Sequence, residues 1–203
     1  LAAVKSHFRA LQHASAELRA DPEIIAAAVE QDSRASKFSL DREAVLAGVN
    51  NNGLELEHAS DELKADREIV LAAVQNSGAA LEYSSDELKA DREVIMAAVQ
   101  NNGDALKYAS QELKADREIV LAAVQNYYQA LYYASAELKA DREIVLAAIQ
   151  DDGGALEYAS NELKADPEII AAAVEQDSSA SEFALDRETE LAAVQKDGVT
   201  DWN

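Results

Sequence analysis

Hydrophobic residues along this chain come in short runs that recur every 25 residues. In residues 66–90, DREIVLAAVQNSGAALEYSSDELKA, the apolar run IVLAAV stands between an acidic start and a polar turn. The same pattern begins again at Asp91, Asp116 and Asp141. Because this run leaves almost no polar face, it predicts a helix that neighbouring repeats bury on several sides.

The two ends of this first helix carry recognisable signals. Asp66 is predicted to cap its start, and Glu68 lies in the first turn near the positive end of the helix dipole. The polar turn that follows predicts the end of the helix, with Gly78 in the left-handed conformation that is common there. The equivalent glycines are Gly53, Gly103, Gly153 and Gly198.

A second short helix is predicted to follow Gly78. Its Leu81, and Leu88 further along, recur in every full repeat and should face the first helix. Ser85 precedes an acidic pair and resembles another helix cap, so the ELKA segment is a candidate for a separate single turn. Neither helix is long enough to be stable alone in water. We therefore predict an all-α fold, an α-solenoid of stacked short helix pairs.

The whole chain is predicted to form a single repeat array. It consists of a partial repeat (1–20), a short repeat of 20 residues (21–40), five full repeats (41–165), a second short repeat (166–185) and a partial repeat (186–203). The short repeats lack the ELKA segment, so we expect a bend in the solenoid at each of them.

A longer period is superimposed on the basic one. The two short repeats are nearly identical and lie 145 residues apart, from Asp21 to Asp166. The chain also begins in the middle of a repeat, because its first four residues match the LAAV that starts at Leu121. We therefore expect a longer native protein that contains more of these blocks.

Composition narrows the classes of function. Hydrophobic residues make up 48% of the 203 residues, so the chain can bury a core. With 39 acidic and 18 basic residues, its net charge is −21, which disfavours direct nucleic-acid binding and favours basic protein surfaces. The charge can equally serve only to keep a long helical surface in solution. No apolar run approaches the length of a membrane span, so none is predicted.

The repeated pattern DRExVLAAVxxxGxALxYASxELKxD resembles the repeat of the family called domain of unknown function 4116. The resemblance covers essentially the whole chain. It implies a tandem helical array and brings no catalytic residue with it. The 20-residue repeats, and the repeats whose turn lacks glycine, depart from the pattern, so regular stacking is least expected there.

One position of the repeat forms a column of rings: His13, His58, Tyr83, Tyr108, Tyr133 and Tyr158. Such a column could serve as a binding face. More often, residues at such a position pack against the adjacent helix and satisfy their polar tips nearby. The two histidines share this position with tyrosines, so they look like replacements for Tyr and not like catalytic bases or metal ligands.

The best functional signal is the aromatic segment YYQALYY. Tyr128 replaces the glycine that ends the first helix, while Tyr127 and Tyr132 fall at positions that are polar elsewhere. Near the start of the chain, Phe8 takes the same glycine position and His7 lies beside it. Exposed aromatic residues are enriched at protein interfaces, so we predict that these five residues bind a partner. The alternative is that they fill a gap left by an altered turn.

Paired carboxylates recur at the starts of the first helices, namely Asp66/Glu68, Asp91/Glu93, Asp116/Glu118 and Asp141/Glu143. Such pairs can perform acid–base chemistry or bind calcium. However, an active site normally occurs once, and helix capping together with pairing to the adjacent arginines explains them. The sequence also lacks cysteine, a glycine-rich phosphate loop and a nucleophile motif. We therefore expect no enzyme, cofactor or metal site within these residues.

The predicted function is structural: an acidic scaffold or adaptor subunit that docks on other proteins in a larger assembly. One alternative is that the repeats present a catalytic domain outside this chain, as in an effector or regulatory protein. Another is that an acidic module captures a basic partner by mimicking nucleic acid. Salt-sensitive binding would favour the acidic module, whereas salt-insensitive binding would favour docking through the aromatic residues.

Overall fold

The computed structural model describes residues 10, 13–19, 21–29 and 42–185. Within these ranges every regular element is helical, and the helices pack in repeating pairs. The predicted all-α solenoid of stacked short helix pairs is therefore confirmed. The chain forms two compact units, Leu1–Leu113 and Lys114–Asn203. No helix in the described ranges is both long and apolar enough to cross a membrane.

A full repeat contains a long α-helix, a six-residue 3₁₀ helix and a short terminal turn. The long helices are Arg42–Asn51, Arg67–Asn76, Arg92–Asn101, Arg117–Asn126 and Arg142–Asp151. The 3₁₀ helices are Gly53–His58, Gly78–Tyr83, Gly103–Tyr108, Tyr128–Tyr133 and Gly153–Tyr158. The terminal turns are Asp61–Lys64, Asp86–Lys89, Leu113–Ala115, Ala136–Lys139 and Asn161–Lys164.

Shorter parts of the pattern flank these five repeats. The helices Ala16–Arg19 and Pro22–Val29 precede them. The short repeat that follows contains the long helix Pro167–Gln176 and the 3₁₀ helix Ser178–Phe183. Its Leu185 N–H donates to the Lys164 carbonyl at 2.9 Å, a bond that serine makes in the full repeats. The bend expected at the short repeats stays a prediction, and residues 30–40 lie outside the described ranges.

The predicted capping of the long helices is confirmed. Asp66 accepts the backbone N–H groups of Glu68 and Ile69 at 3.0 and 3.2 Å, which satisfies two donors that the first turn leaves free. The same side-chain cap is present at Asp91, Asp116, Asp141 and Asp166. Pro167 stands at the first helical position, where its missing N–H costs no hydrogen bond.

The second helical segment differs from the prediction in type, because it is a 3₁₀ helix. A 3₁₀ helix rises about 2.0 Å per residue, against about 1.5 Å in an α-helix. The six-residue 3₁₀ helix is therefore nearly as long as the ten-residue α-helix before it. The separate single turn is confirmed, with Ser85 Oγ accepting the Leu88 N–H at 3.4 Å.

The core lies between the long helices and the 3₁₀ helices. In the repeat 66–90, the long helix buries Ile69, Val70, Ala73 and Val74, and the 3₁₀ helix buries Leu81 against it. The opposite face of the long helix is only half-buried, at Leu71 and Ala72. The predicted burial is therefore complete on the face toward the 3₁₀ helices, while an apolar face of the long helix stays partly open.

The glycines that follow the long helices do not adopt the left-handed conformation that we predicted. Among the described residues no glycine has a positive φ. A Cβ on Gly78 would instead lie 2.5 Å from the carbonyl oxygen of Ala98 in the next repeat, and Gly53 and Gly153 face the same obstacle. Glycine is needed because the following helix approaches the backbone too closely for a side chain. Gly198 lies outside the described residues.

Asparagine side chains connect neighbouring repeats by hydrogen bonds next to these glycines. Asn101 Oδ1 accepts the Gly78 N–H at 2.7 Å, and its Nδ2 donates to the Gln75 carbonyl at 3.1 Å. Asn76 makes the same two contacts with the preceding repeat. One side chain thus joins the ends of two consecutive long helices, and it fixes their spacing.

Candidate docking surface

Arginines link consecutive repeats at the starts of the long helices. Arg67 Nε donates to Asp91 Oδ2 at 2.8 Å, and its Nη2 donates to Glu93. Equivalent pairs are made by Arg42, Arg117 and Arg142. The bond from the preceding arginine holds the pKa of Asp66 and Asp91 below the usual value. The paired carboxylates therefore cap one helix and bind the arginine of the repeat before it.

The half-buried faces of successive long helices form shallow grooves. One groove of about 490 Å³ has Leu46, Leu71 and Ala72 along its floor and Arg67 and Glu68 at one end. In the unit Lys114–Asn203 the same positions form a similar groove of about 480 Å³ between the long helices of repeats 116–140 and 141–165. Both grooves are open to solvent, and residues at the same positions of the repeat line both of them.

The described histidines do not gather with carboxylates. His13 is exposed and His58 is half-buried at the end of a 3₁₀ helix. Within the described ranges, no group of three or more His, Asp or Glu residues is arranged to hold a metal ion.

The column of tyrosines lies half-buried along the 3₁₀ helices. The Tyr108 hydroxyl donates to Glu82 Oε2 of the preceding repeat at 2.7 Å. Burial raises the pKa of Tyr108, and the bond to Glu82 adds to this effect. Glu82, one position before the column residue Tyr83, thus accepts the hydroxyl of the tyrosine 26 residues later.

Tyr132 occupies the position of Glu82 in repeat 116–140, so an exposed aromatic ring replaces a carboxylate there. Tyr132 is 59% exposed, the highest value among the exposed large hydrophobic residues of the described ranges. The ring centroid lies 5.1 Å from that of Tyr133 and 5.8 Å from that of Tyr158, both with edge-on geometry. Such edge-on contacts are a favourable arrangement of aromatic rings.

Tyr127 and Tyr128 extend this group of rings. Their centroids are 6.0 Å apart, and Gln129 bonds to both hydroxyls, accepting from Tyr127 and donating to Tyr128. Burial raises the pKa of Tyr158, and Glu157, Tyr128 and Tyr127 add to this rise. Tyr127 and Tyr128 are therefore near Tyr158, and Tyr132 contacts both Tyr133 and Tyr158. We call Tyr127, Tyr128, Tyr132, Tyr133 and Tyr158 the tyrosine cluster.

The structure places the predicted Tyr127 beside Tyr128, and the predicted Tyr132 beside Tyr133 and Tyr158. Tyr127 and Tyr128 are half-buried, whereas Tyr132 is exposed. The predicted partner-binding residues His7 and Phe8 lie outside the described residues. Sequence reasoning missed Tyr158 as a neighbour of Tyr132, because the 26-residue spacing of this contact is visible only once the repeats are stacked.

The turn at Tyr128 also changes the junction with the next repeat. Its N–H donates to Asp151 Oδ2 at 3.2 Å, where the equivalent glycine bonds to asparagine. Unlike the amide of asparagine, an ionised carboxylate has no N–H that it could donate to the carbonyl at the end of the preceding long helix. The 3₁₀ helix Tyr128–Tyr133 also packs less closely on the following 3₁₀ helix than Gly53–His58, Gly78–Tyr83 and Gly153–Tyr158 do. The extra side chain and the lost donor both loosen this junction.

The sequence profile of one family, Domain of unknown function (DUF4116), matches residues 41–89, 91–139 and 141–187. The chain belongs to this family. Each of the first two DUF4116 matches spans two full repeats, and the third spans a full repeat and the short one that follows. The tyrosine cluster lies where the second and third DUF4116 matches meet. No curated protein and no solved structure matches the chain significantly.

Proposed function

We propose that this DUF4116 chain is a non-enzymatic scaffold or adaptor subunit that binds another protein through the tyrosine cluster. The observation that carries the proposal is the 59% exposure of Tyr132, whose ring contacts those of Tyr133 and Tyr158 edge-on. Tyrosine is enriched among the residues that dominate binding energy at interfaces. It also offers a large contact area with few rotatable bonds, so little conformational entropy is lost on binding.

The surrounding framework supports a docking role because it holds the rings in place. The helix caps, the arginine pairs and the buried leucines recur on both sides of the cluster in the unit Lys114–Asn203. A surface that is ordered before binding loses less entropy when a partner arrives. The acidic charge of the chain would guide a partner that carries basic groups.

Site-specific photocrosslinking tests this proposal. A photoreactive phenylalanine analogue at position 132 should crosslink a defined protein in extracts of the source organism. The matched control places the same analogue at position 82, since Glu82 is the exposed counterpart in another repeat. The proposal predicts a specific product at position 132 and none at position 82. Identical products from both positions would contradict it.

A triple substitution separates an interface from a filled gap. Y127S/Y128G/Y132E gives this repeat the residues that stand at the same positions in repeat 66–90. We expect the complex to be lost while the helical circular dichroism and the unfolding temperature are retained. If the triple variant loses its helical signal instead, the rings serve to fill the altered turn.

A further inference from the structure

We propose that the tyrosine cluster binds an arginine-rich segment of its partner, with guanidinium groups on the tyrosine rings and on the carboxylates beside them. This inference rests on the proposed docking function and adds the chemistry of the partner. It is carried by three features of the described residues: a cation that already contacts the exposed ring, carboxylates at the rim of the cluster, and the charge of the whole chain.

The first feature is the lysine at Tyr132. Lys139 Nζ lies 5.3 Å from the centroid of the Tyr132 ring, within the range of a cation–π contact. Burial lowers the pKa of Lys139, and the nearby charge of Lys164 lowers it further. The Tyr132 ring therefore accepts a cation within the protein itself. Tyr132 is 59% exposed with Lys139 in place, so the residue leaves room for a second cation.

The second feature is the set of carboxylates around the rings. Glu157 is exposed, occupies the position of Tyr132 in the next repeat, and lies close enough to Tyr158 to raise the pKa of its hydroxyl. Asp151 is exposed, and one of its carboxylate oxygens accepts the Tyr128 N–H. A guanidinium group is planar and donates in pairs, so it can lie on a ring and bind a carboxylate at the same time.

Arginine fits this surface better than the other candidates do. An ammonium group is strongly hydrated and binds as a point charge, so it gains less from a flat aromatic face. An uncharged proline-rich segment could also pack on tyrosines, but it would leave the carboxylates without partners. The net charge of −21 attracts any basic segment and raises its rate of encounter. The rings then provide the preference for arginine.

Fluorescence anisotropy with four synthetic peptides tests the proposal on the full chain. The labelled probes have the form (Gly-Ser-X)₄, with X as arginine, lysine, citrulline or proline. At about 0.15 M salt we expect the arginine peptide to bind at least about fivefold tighter than the lysine peptide. The citrulline peptide, which keeps the shape of arginine without its charge, should bind at least about tenfold more weakly than the arginine peptide.

The variant Y127S/Y128G/Y132E isolates the contribution of the rings. It adds one negative charge, so attraction between charges alone would strengthen the binding of a cationic peptide. We expect the opposite, a loss of at least about tenfold for the arginine peptide and little change for the lysine peptide. The control E82Q removes an equal charge at the corresponding site of another repeat, and it should change the affinity less than twofold.

The outcomes distinguish this inference from the proposed function. Equal affinity for the arginine and lysine peptides in both proteins would overturn the arginine proposal, because charge alone would then explain binding. Preference for the proline peptide would also overturn it. In either case, a specific crosslink at position 132 would still support docking through the tyrosine cluster. Absence of that crosslink, in contrast, would remove the docking function itself.

Discussion

Repeats 66–90 and 116–140 begin with the same sequence and end with different surfaces. Their long helices, Arg67–Asn76 and Arg117–Asn126, both read REIVLAAVQN. Both helices are capped by aspartate, and both bury their isoleucine, two valines and second alanine completely. Up to the end of the long helix, the two repeats therefore have the same local structure.

The two repeats diverge at the residue after the helix end. Ser77 and Gly78 in the first repeat correspond to Tyr127 and Tyr128 in the second, and Glu82 corresponds to Tyr132. In the first repeat, Gly78 allows close packing and an asparagine bond of 2.7 Å. In the second, the equivalent bond is 3.2 Å and is made to aspartate.

This difference shows how a repeat array can acquire a specific site. The long helices and the buried leucine supply stability, and they are the same in both repeats. The turn and the outer face of the 3₁₀ helix supply the surface, and they can change without altering the buried core. A departure from the repeat pattern that exposes aromatic rings, as at Tyr132, therefore points to function more strongly than the pattern itself.

The largest expected effect comes from placing the tyrosine of one repeat in the other. Gly78→Tyr should lower the free energy of unfolding by about 3 kcal/mol, because its Cβ would meet the Ala98 carbonyl. Denaturant unfolding measures the change. In the control Gly48→Ala, the new Cβ has only the Glu55 side chain within 4.0 Å, inside a long helix. It should stabilise the protein by about 1 kcal/mol. Equal losses in both variants would refute the close-approach explanation.

A smaller effect is expected from exchanging the residues that join the helix ends. Asn101→Asp removes the donor that binds the Gln75 carbonyl, so it should cost about 1 kcal/mol. Asp151→Asn should gain a similar amount by supplying that donor at the junction after Tyr128. Paired unfolding curves test both signs. Destabilisation by Asp151→Asn would show that the Tyr128 turn requires the carboxylate.

The arginine pairs should behave alike in the two repeats. Arg67→Gln and Arg117→Gln each remove a bond to an aspartate and a glutamate of the next repeat. Because the arginines and glutamates of these pairs are exposed, salt screens their charges, and we expect small and equal decreases in the unfolding temperature that shrink further in 1 M salt. A clear difference between the two variants would mean that the divergent turns influence the helix starts.

The same pairs predict how stability depends on pH. The bond from Arg67 lowers the pKa of Asp91 from its usual 3.8, so folding favours the ionised carboxylate. This stabilisation is present above pH 3.8 and is lost as the pH falls below that value, through the lowered pKa of the folded protein. Arg67→Gln should therefore reduce the loss of stability in acid. Unfolding temperatures measured between pH 5 and about pH 2 test this sign.

The smallest effect on stability is expected at Tyr132, although this residue has the largest proposed role in docking. Tyr132→Glu replaces an exposed ring and supplies an acceptor for the Tyr158 hydroxyl, as Glu82 does for Tyr108. The free energy of unfolding should change by less than about 0.5 kcal/mol. A loss of several kcal/mol would show that Tyr132 is part of the core and would remove the contrast between the two repeats.

The sequence by itself determined the features that depend on neighbouring residues. The 25-residue period, the aspartate caps, the single turn after Ser85 and the burial of Leu81 could all be predicted. Each of them follows from hydrogen bonding or apolar periodicity within one repeat. The unusual segment around Tyr128 was also visible, because it departs from a pattern that the other repeats define.

Only the tertiary structure decided how one repeat meets the next. It replaced the predicted left-handed Gly78 with a close approach to Ala98, and it placed Tyr132 against Tyr158. Such contacts depend on the distance and offset between stacked helices, which result from packing along their whole length. No local signal encodes that offset, so the tyrosine cluster could be assembled only once the repeats were stacked.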